Sequence, residues 1–261
     1  MKNPFDVNQY TFNNSEESFE YDSSNVSDLQ SPERFIIDKI TPYIKNTAIL
    51  DLAVGGGRTT QHLLKISKNY IGTEVSNTLL KIAKKKHPDV DFIHNDYRDL
   101  SIFQDNSFDF IMLSYNGLDY VNHKDRLSVI SEILRIIKPK GIFLFSSHNY
   151  FRQRTSFKIK YRKNLINMFK QNLIGLINFL RLKDSEEFNS HYSYANLRGH
   201  NYGLLTYGIS WKEQIFQLKK LGFSEVMYTI NNHGHSITCN EDVSDWIYYC
   251  VRPHEYLNED K

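Results

Sequence analysis

The stretch Asp51-Leu52-Ala53-Val54-Gly55-Gly56-Gly57 restricts this chain more than any other feature. Residues 47–52 form an apolar run closing on an acid, and residues 58–66 follow the glycines with helical character. Strand, glycine-rich turn and helix is a phosphate- or nucleotide-facing arrangement. Glycine lets a ligand approach the backbone and the positive end of the helix, which a side chain would obstruct. The pattern repeats along the chain. Residues 69–73, 90–93, 108–113 and 142–146 read as strands, and 78–87 and 124–137 as helices, the latter stopped by Pro139 and Gly141. Residues 211–221 read as a helix ended by Gly222, and 223–230 and 246–252 as two last strands. Strands alternating with amphipathic helices predict an α/β fold with a parallel sheet covered on both faces.

Glu74 closes the second strand, 23 residues after Asp51. An acid at that place accepts from both hydroxyls of an adenosine ribose, so the pattern points to an adenosine-containing cofactor at the carboxyl edge of the sheet. Two alternatives fit less well. A dinucleotide fingerprint wants a small residue three after Gly57, where this chain has Thr60. A phosphate-binding P-loop wants Lys-Ser or Lys-Thr after the turn, and neither is present.

With these residues in hand, the stretch 47–147 resembles class I S-adenosylmethionine-dependent methyltransferases of the type that acts on small molecules. The family's first motif appears as Asp51-x-Ala53-x-Gly55-x-Gly57, with Ala53 in place of the first glycine. Glu74, with Val75 beside it, matches the ribose-binding acid, and Asp96-Tyr97 the pair that brackets the adenine. Residues 108–111 with Ser114-Tyr115-Asn116 resemble the fourth motif, and 134–142 the helix-to-strand junction. The resemblance implies a Rossmann-like, seven-stranded, mostly parallel sheet with helices on both faces, an antiparallel last strand and a helical lid insertion. It implies S-adenosylmethionine as cofactor, bound by Asp51, Ala53, Gly55, Gly57, Glu74, Val75, Asp96, Tyr97 and Ser114. A nicotinamide-dependent oxidoreductase and a non-catalytic binding protein of the same fold are the competing readings.

Methyl transfer from a sulfonium needs positioning, plus proton removal when the acceptor is a hydroxyl. His148 follows the fifth strand, where it is either a general base or a loop histidine bonded to backbone. Asp119 is a base, a substrate partner or a cap for the helix that follows. Asn116 and Tyr120 lie after the fourth strand and are expected, with His148, Tyr21 and Arg152, to contact the acceptor. Arg58 reads as a helix-surface residue. His233 and His235 are one residue apart, but no third ligand is placed, so no metal is expected.

The remaining chain divides by charge. A net charge of +2 gives no global case for nucleic acid, yet it sums opposed segments. Residues 1–33 hold seven acids against Lys2, and 151–183 hold nine Lys or Arg and no acid. The expected organisation is an arm over 1–30, a cofactor-binding core over 31–149, a lid or substrate insertion over 150–208, the rest of the core sheet over 209–253, and a tail over 254–261. Ser31-Pro32-Glu33 marks a helix start. The basic insert suits an anionic or sugar-type small-molecule acceptor; its apolar stripe (Leu165, Phe169, Leu173, Ile177, Leu180) also suits peripheral membrane contact, the less favoured reading. The turn after the fourth strand lacks the prolines by which nucleic-acid amino-methyltransferases clamp a base. There is no apolar run of the ~18 residues a spanning helix needs and no secretory pattern at the polar start. With reduced Cys239 and Cys250 this predicts a cytoplasmic monomer or homodimer.

Overall fold

The computed structural model describes residues 8, 28–149, 156–161, 163–237 and 244–253. Helix α1 (Ser31–Ile44) starts where the sequence places it: Glu33 accepts from Gln30 N at 2.7 Å, and Pro32 sits in the first turn, where its missing N–H is no loss. Then come β1 (Ile49–Leu52), α2 (Thr60–Ile66), β2 (Tyr70–Glu74), α3 (Asn77–Lys86), β3 (Phe92–His94), β4 (Phe108–Leu113), α4 (His123–Ile136) and β5 (Ile137–His148). The insert supplies α5 (Leu165–Leu182), β6 (Glu187–Phe188), β7 (Tyr192–Ala195) and β8 (Thr206–Ile209). Helix α6 (Trp211–Leu221), β9 (Glu225–Asn231) and β10 (Trp246–Arg252) complete the fold.

Strands β3, β2, β1, β4 and β5 pair in that order, all parallel. β10 runs antiparallel to β5, and β9 antiparallel to β10. These are the expected seven strands, here part of a ten-stranded sheet. Side chains alternate across it with period two. Ile111 and Leu113 of β4 and Phe143 and Phe145 of β5 meet Val129, Ile130 and Ile133 of α4 on one face. Phe110, Met112, Ile142 and Leu144 meet Ile36, Ile40, Leu63 and Leu80 on the other. Both faces are therefore sealed by helices, as a parallel sheet requires.

Strand β5 is longer than the expected 142–146. Its start at Ile137 is accommodated by a register shift against β4 between Phe108 and Phe110, and Pro139 lies in that irregular part. At its other end β5 outruns β4, whose last pair is Leu113 with Phe145. His148 pairs with Trp246 of β10 on one edge and with Gly208 of β8 on the other. The insert thus extends the sheet past the carboxyl end of β4.

Residues 184–208, polar and rich in Tyr, Asn and Gly, contribute to the antiparallel strands β6 to β8. Their core is small: Leu182, Tyr194, Leu205, Tyr207 and Ile209. Tyrosines bury their rings there, so a composition that looks polar still forms a packed layer. Asn8 ties the arm to this layer, donating to Tyr120 O at 2.8 Å and Leu205 O at 3.0 Å and accepting from Leu205 N at 3.1 Å. Among the described residues no helix is long and apolar enough to cross a membrane, and no cluster of metal-ligating side chains occurs.

Candidate functional site

The turn after β1 folds as its glycines require. Ala53, Gly55 and Gly57 take φ of 53°, 58° and 80°, a region that costs an L-residue ~1–2 kcal/mol. Ala53 bears that strain, whereas the glycines do not. A Cβ at Gly55 would meet nothing within 4 Å, because this glycine faces a cavity; one at Gly57 would stand 3.0 Å from the His87 ring.

The cavity, about 750 Å³, runs from this turn to the insert. That size suits a cofactor together with a small acceptor. Asp51, Ala53, Gly55, Gly57 and Ser114 line it near the turn, with Arg58. Asn116, Tyr120 and His148 line it together with Leu197, His200, Leu204 and Thr206 of the insert. Glu74, Val75, Asp96, Tyr97 and Asp119 are set back from this lining, and Tyr21 and Arg152 fall outside the described residues.

The positions set back have definite partners. Glu74 accepts from Gly55 N at 2.9 Å and Ser76 N at 2.7 Å, so its carboxylate braces the glycine turn. Burial raises its pKa, against the lowering effect of those amides. Val75 packs partly against the core, and its carbonyl lies 2.8 Å from His94 Nε2. Asp96 is held by Arg98, with Nε at 2.9 Å and Nη2 at 2.6 Å. Tyr97 differs from a ring lying on an adenine: it is buried in the core and its hydroxyl donates to Gly117 O at 2.9 Å. Asp51 accepts from Thr59 Oγ1 at 2.5 Å and Tyr70 OH at 2.9 Å; burial nevertheless pushes its pKa up to about 6.

Arg58 departs from the surface role its sequence suggests. Its guanidinium meets Glu33 through Nη1–Oε2 at 2.6 Å and Nη2–Oε1 at 2.7 Å, and lies over the Tyr115 ring at 5.3 Å. Ser114 Oγ also donates to Glu33, whose side chain is fully buried. The unit clamps the start of α1 to the glycine turn. Glu33 and Arg58 are 25 residues apart, and the sequence marks Glu33 only as a first-turn acid, so nothing local announces the pair.

At the other end of the cavity, His148 and Asp119 form a dyad. Asp119 Oδ2 accepts from His148 Nδ1 at 2.8 Å and from His148 N at 2.6 Å. Oδ1 accepts from Arg126 Nη1 at 2.6 Å and Ser147 Oγ at 2.8 Å. Asp119 is completely buried, while the His148 side chain is 20% exposed. A carboxylate paired with a guanidinium only accepts, so Nδ1 carries the imidazole proton and Nε2 is left as the basic nitrogen. Asn116 Nδ2 lies 3.5 Å from that Nε2, at the long limit of a hydrogen bond, and its buried Oδ1 has no partner among the described residues. Arg126 was not singled out from the sequence. It is fully buried on α4, bonded also to Leu118 O and Gln214 Oε1, and packed over Tyr207 at 4.5 Å.

Comparison with known proteins agrees with this architecture. Residues 49–141 match a family described as a methyltransferase domain. The chain is 32% identical over 108 residues to a demethylmenaquinone methyltransferase of Renibacterium salmoninarum, covering 41% of this chain and 44% of that protein. It is 30% identical over 200 residues to an uncharacterised protein of Methanocaldococcus jannaschii, covering 77% and 68%. Against the first relatives the match spans less than half of their length. Among solved structures, an S-adenosylmethionine-dependent methyltransferase from Clostridium acetobutylicum superposes with a TM-score of 0.61 at 16% identity, covering 91% of this chain and 98% of the other. The methyltransferase CcbJ of Streptomyces caelestis gives 0.61 at 14% identity, with 93% and 98% covered. A glycine turn opening on a cavity of cofactor size, on a sheet of this order and with these relatives, makes the chain a member of the class I S-adenosylmethionine-dependent methyltransferases.

Proposed function

We propose that the protein transfers the methyl group of S-adenosylmethionine to a hydroxyl of a small-molecule acceptor, with His148 as general base. The observation that carries this is the hydrogen bond from His148 Nδ1 to buried Asp119, which leaves Nε2 basic at the cavity wall. An amine acceptor arrives with its own lone pair; a hydroxyl gains most from a base. The relatives named demethylmenaquinone methyltransferase support a small-molecule acceptor in general terms. The cations of the insert that the structure describes are absent from the cavity lining, which removes their support for an anionic acceptor.

The residues present fit the cofactor. Gly55 faces open space, and Asp51 and Ser114 flank the turn. Gly55, Gly57 and Ala53 would admit the cofactor close to the backbone. Asp51 would meet its positive end, and Glu74, besides bracing the turn, would take the ribose. Bound there, the cofactor supplies an activated methyl group on a sulfonium. The protein does the rest. Asn116, on the cavity wall, would orient the acceptor; His148 Nε2 would take the hydroxyl proton as the C–O bond forms and the methyl–sulfur bond breaks, leaving S-adenosylhomocysteine; and Asp119 would stabilise the resulting imidazolium. The insert, through Leu197, His200, Leu204 and Thr206, encloses the acceptor and excludes water.

The test is His148→Asn, assayed by transfer of labelled methyl into a metabolite extract. Loss of the base should lower turnover by about 100- to 10,000-fold, with S-adenosylmethionine affinity unchanged by calorimetry. Unchanged turnover would remove His148 as the base.

A further inference from the structure

Helix α5 carries more apolar surface than the body of the protein covers. A surface helix ordinarily turns its apolar stripe to the body of the protein. Here Gly175, Phe179 and Leu182 pack inward, Phe179 against Phe157 and Tyr202, with Gln171, Asn172 and Asn178 beside them, and a second apolar stripe is left outside. Asn172 donates from Nδ2 to Lys160 O at 3.0 Å and accepts from Lys160 N at 2.8 Å. Asn201 Nδ2 donates to Gln171 O at 3.0 Å, and Asn178 Nδ2 to Asn201 O at 3.2 Å. A Cβ at Gly175 would stand 3.3 Å from the Tyr202 ring, so this side is also the close-packed one. These bonds fix the rotation of the helix about its axis.

The opposite side carries Leu165, Phe169, Leu173, Leu176, Ile177 and Leu180, each between 37% and 71% exposed. At ~100° per residue they fall in one arc of ~120°. Lys170 and Arg181 lie at one margin of the arc, Lys163 and Lys183 are exposed next to the helix ends, and Lys158 and Lys160 are exposed on the segment bonded to Asn172. Residues 151–183 contain no acid. An exposed apolar patch of this extent marks an association surface. A second copy is the poorer occupant, since a two-fold contact would bring the same basic margins together, and the exposed acids nearest in sequence, Asp184 and Glu187, lie past the end of the helix. An anionic lipid surface complements both features at once: acyl chains for the stripe, phosphates for the cations.

We infer that α5 is an interfacial helix that lies on an anionic bilayer, with its leucines and Phe169 in the acyl boundary. Residues 199 and 200 line the cavity, and Asn201 anchors α5, so the docking face and the acceptor end of the cavity share one loop.

The full-length chain, without cofactor or acceptor, is sedimented with phosphatidylcholine vesicles containing about one-third phosphatidylglycerol and with pure phosphatidylcholine vesicles. Binding to the anionic vesicles should be at least ~10-fold tighter and should weaken as salt rises from about 0.1 M to about 0.5 M. Phe169→Ser with Leu173→Ser should lower it by ~10-fold or more at an unchanged melting temperature, since both side chains are exposed, while Phe169→Leu should retain it. Equal binding by the wild type and the double variant overturns the inference, as does no binding to either vesicle. A dimer in light scattering that the double variant abolishes also overturns it, by giving the face to a second copy.

Discussion

Replacing Asp119 by Asn preserves the shape of the side chain and removes its charge, and the geometry allows the consequences to be worked out. The carboxylate accepts four hydrogen bonds, two per oxygen. An amide offers one oxygen and one NH2 group. With the oxygen toward Arg126 and Ser147, the NH2 faces the His148 backbone N–H, and the imidazole must move its proton to Nε2. With the amide reversed, the NH2 faces a buried guanidinium. Either way Arg126 loses the carboxylate it pairs with inside the protein. Breaking a buried ion pair from one side costs ~3–5 kcal/mol, against a total stability of ~5–15 kcal/mol. In the first orientation Nε2 becomes a donor and the base is lost, so turnover should fall by about 100- to 10,000-fold.

Two assays separate these effects. Urea denaturation reads the stability, and labelled-methyl transfer below the transition reads the rate. A second variant, Asp119→Leu with Arg126→Met, replaces the pair by apolar groups. It should recover much of the stability lost in Asp119→Asn, because a buried pair exchanged for packed hydrophobes is often neutral. Gln214 keeps its bond to Gln217 in that background. Turnover should stay as low as in Asp119→Asn, and imidazole nitrogen shifts should show the tautomer change in both. If the double variant regains turnover along with stability, Asp119 acts only through the fold, and the argument that it sets the His148 tautomer fails.

Gly55→Ala should fold with a penalty of ~1–2 kcal/mol for its φ of 58°, yet lose S-adenosylmethionine affinity by calorimetry, because its methyl would enter the cavity. Asp51→Asn should change the pH profile of stability. The folded carboxyl titrates at about 6, above its ordinary 3.8, so the native state holds the proton more tightly and wild-type stability falls as pH rises from about 4 to about 6. The variant lacks this fall; its advantage should grow across that window to at most ~3 kcal/mol in urea titrations, and a flat difference would refute the burial argument. Gly222→Ala sets a Cβ 2.8 Å from Leu134 Cδ2 at a φ of 111°; it should lower stability by ~1–3 kcal/mol with cofactor affinity unchanged, since Gly222 is not part of the cavity lining.

The parts of the fold that the sequence announces are those decided within a few residues. The glycine turn is required by the φ angles of residues 55 and 57, and Gly222 by the end of α6. Strands β1 and β4 are apolar apart from Asp51 and Asp109 because both faces are covered, and the alternation of strand with helix then leaves few topologies. The insert follows no such rule. Its strands β6 to β8 are short, and their tyrosines bury rings while their composition looks polar. The stripe on α5 was visible as a period, but a period does not say which way a helix faces. Asn172, Asn178 and Asn201 settle that through bonds to partners up to 30 residues away.

The same distinction governs the site. His148 and Asp119 each stand out as chemistry-bearing residues after a strand, yet their sequence positions assign them no separate roles. They are 29 residues apart, and either can be drawn as the base. Burial divides the work. Arg126, Ser147 and the His148 backbone saturate the carboxylate of Asp119 and close it off, whereas β5 runs past the end of β4 and carries the imidazole to the cavity wall. In the proposed reaction, what suits His148 to be the base is thus the overhang of one strand and a buried arginine on a neighbouring helix, and neither is a property of the histidine or its neighbours in sequence. Disturbing the strand that pairs with that overhang should therefore weaken His148 without touching the glycine turn: Gly208→Pro in β8, opposite His148, should reduce turnover while S-adenosylmethionine affinity measured by calorimetry stays at the wild-type value, and a parallel loss of both would show that the two ends of the cavity are coupled through the sheet.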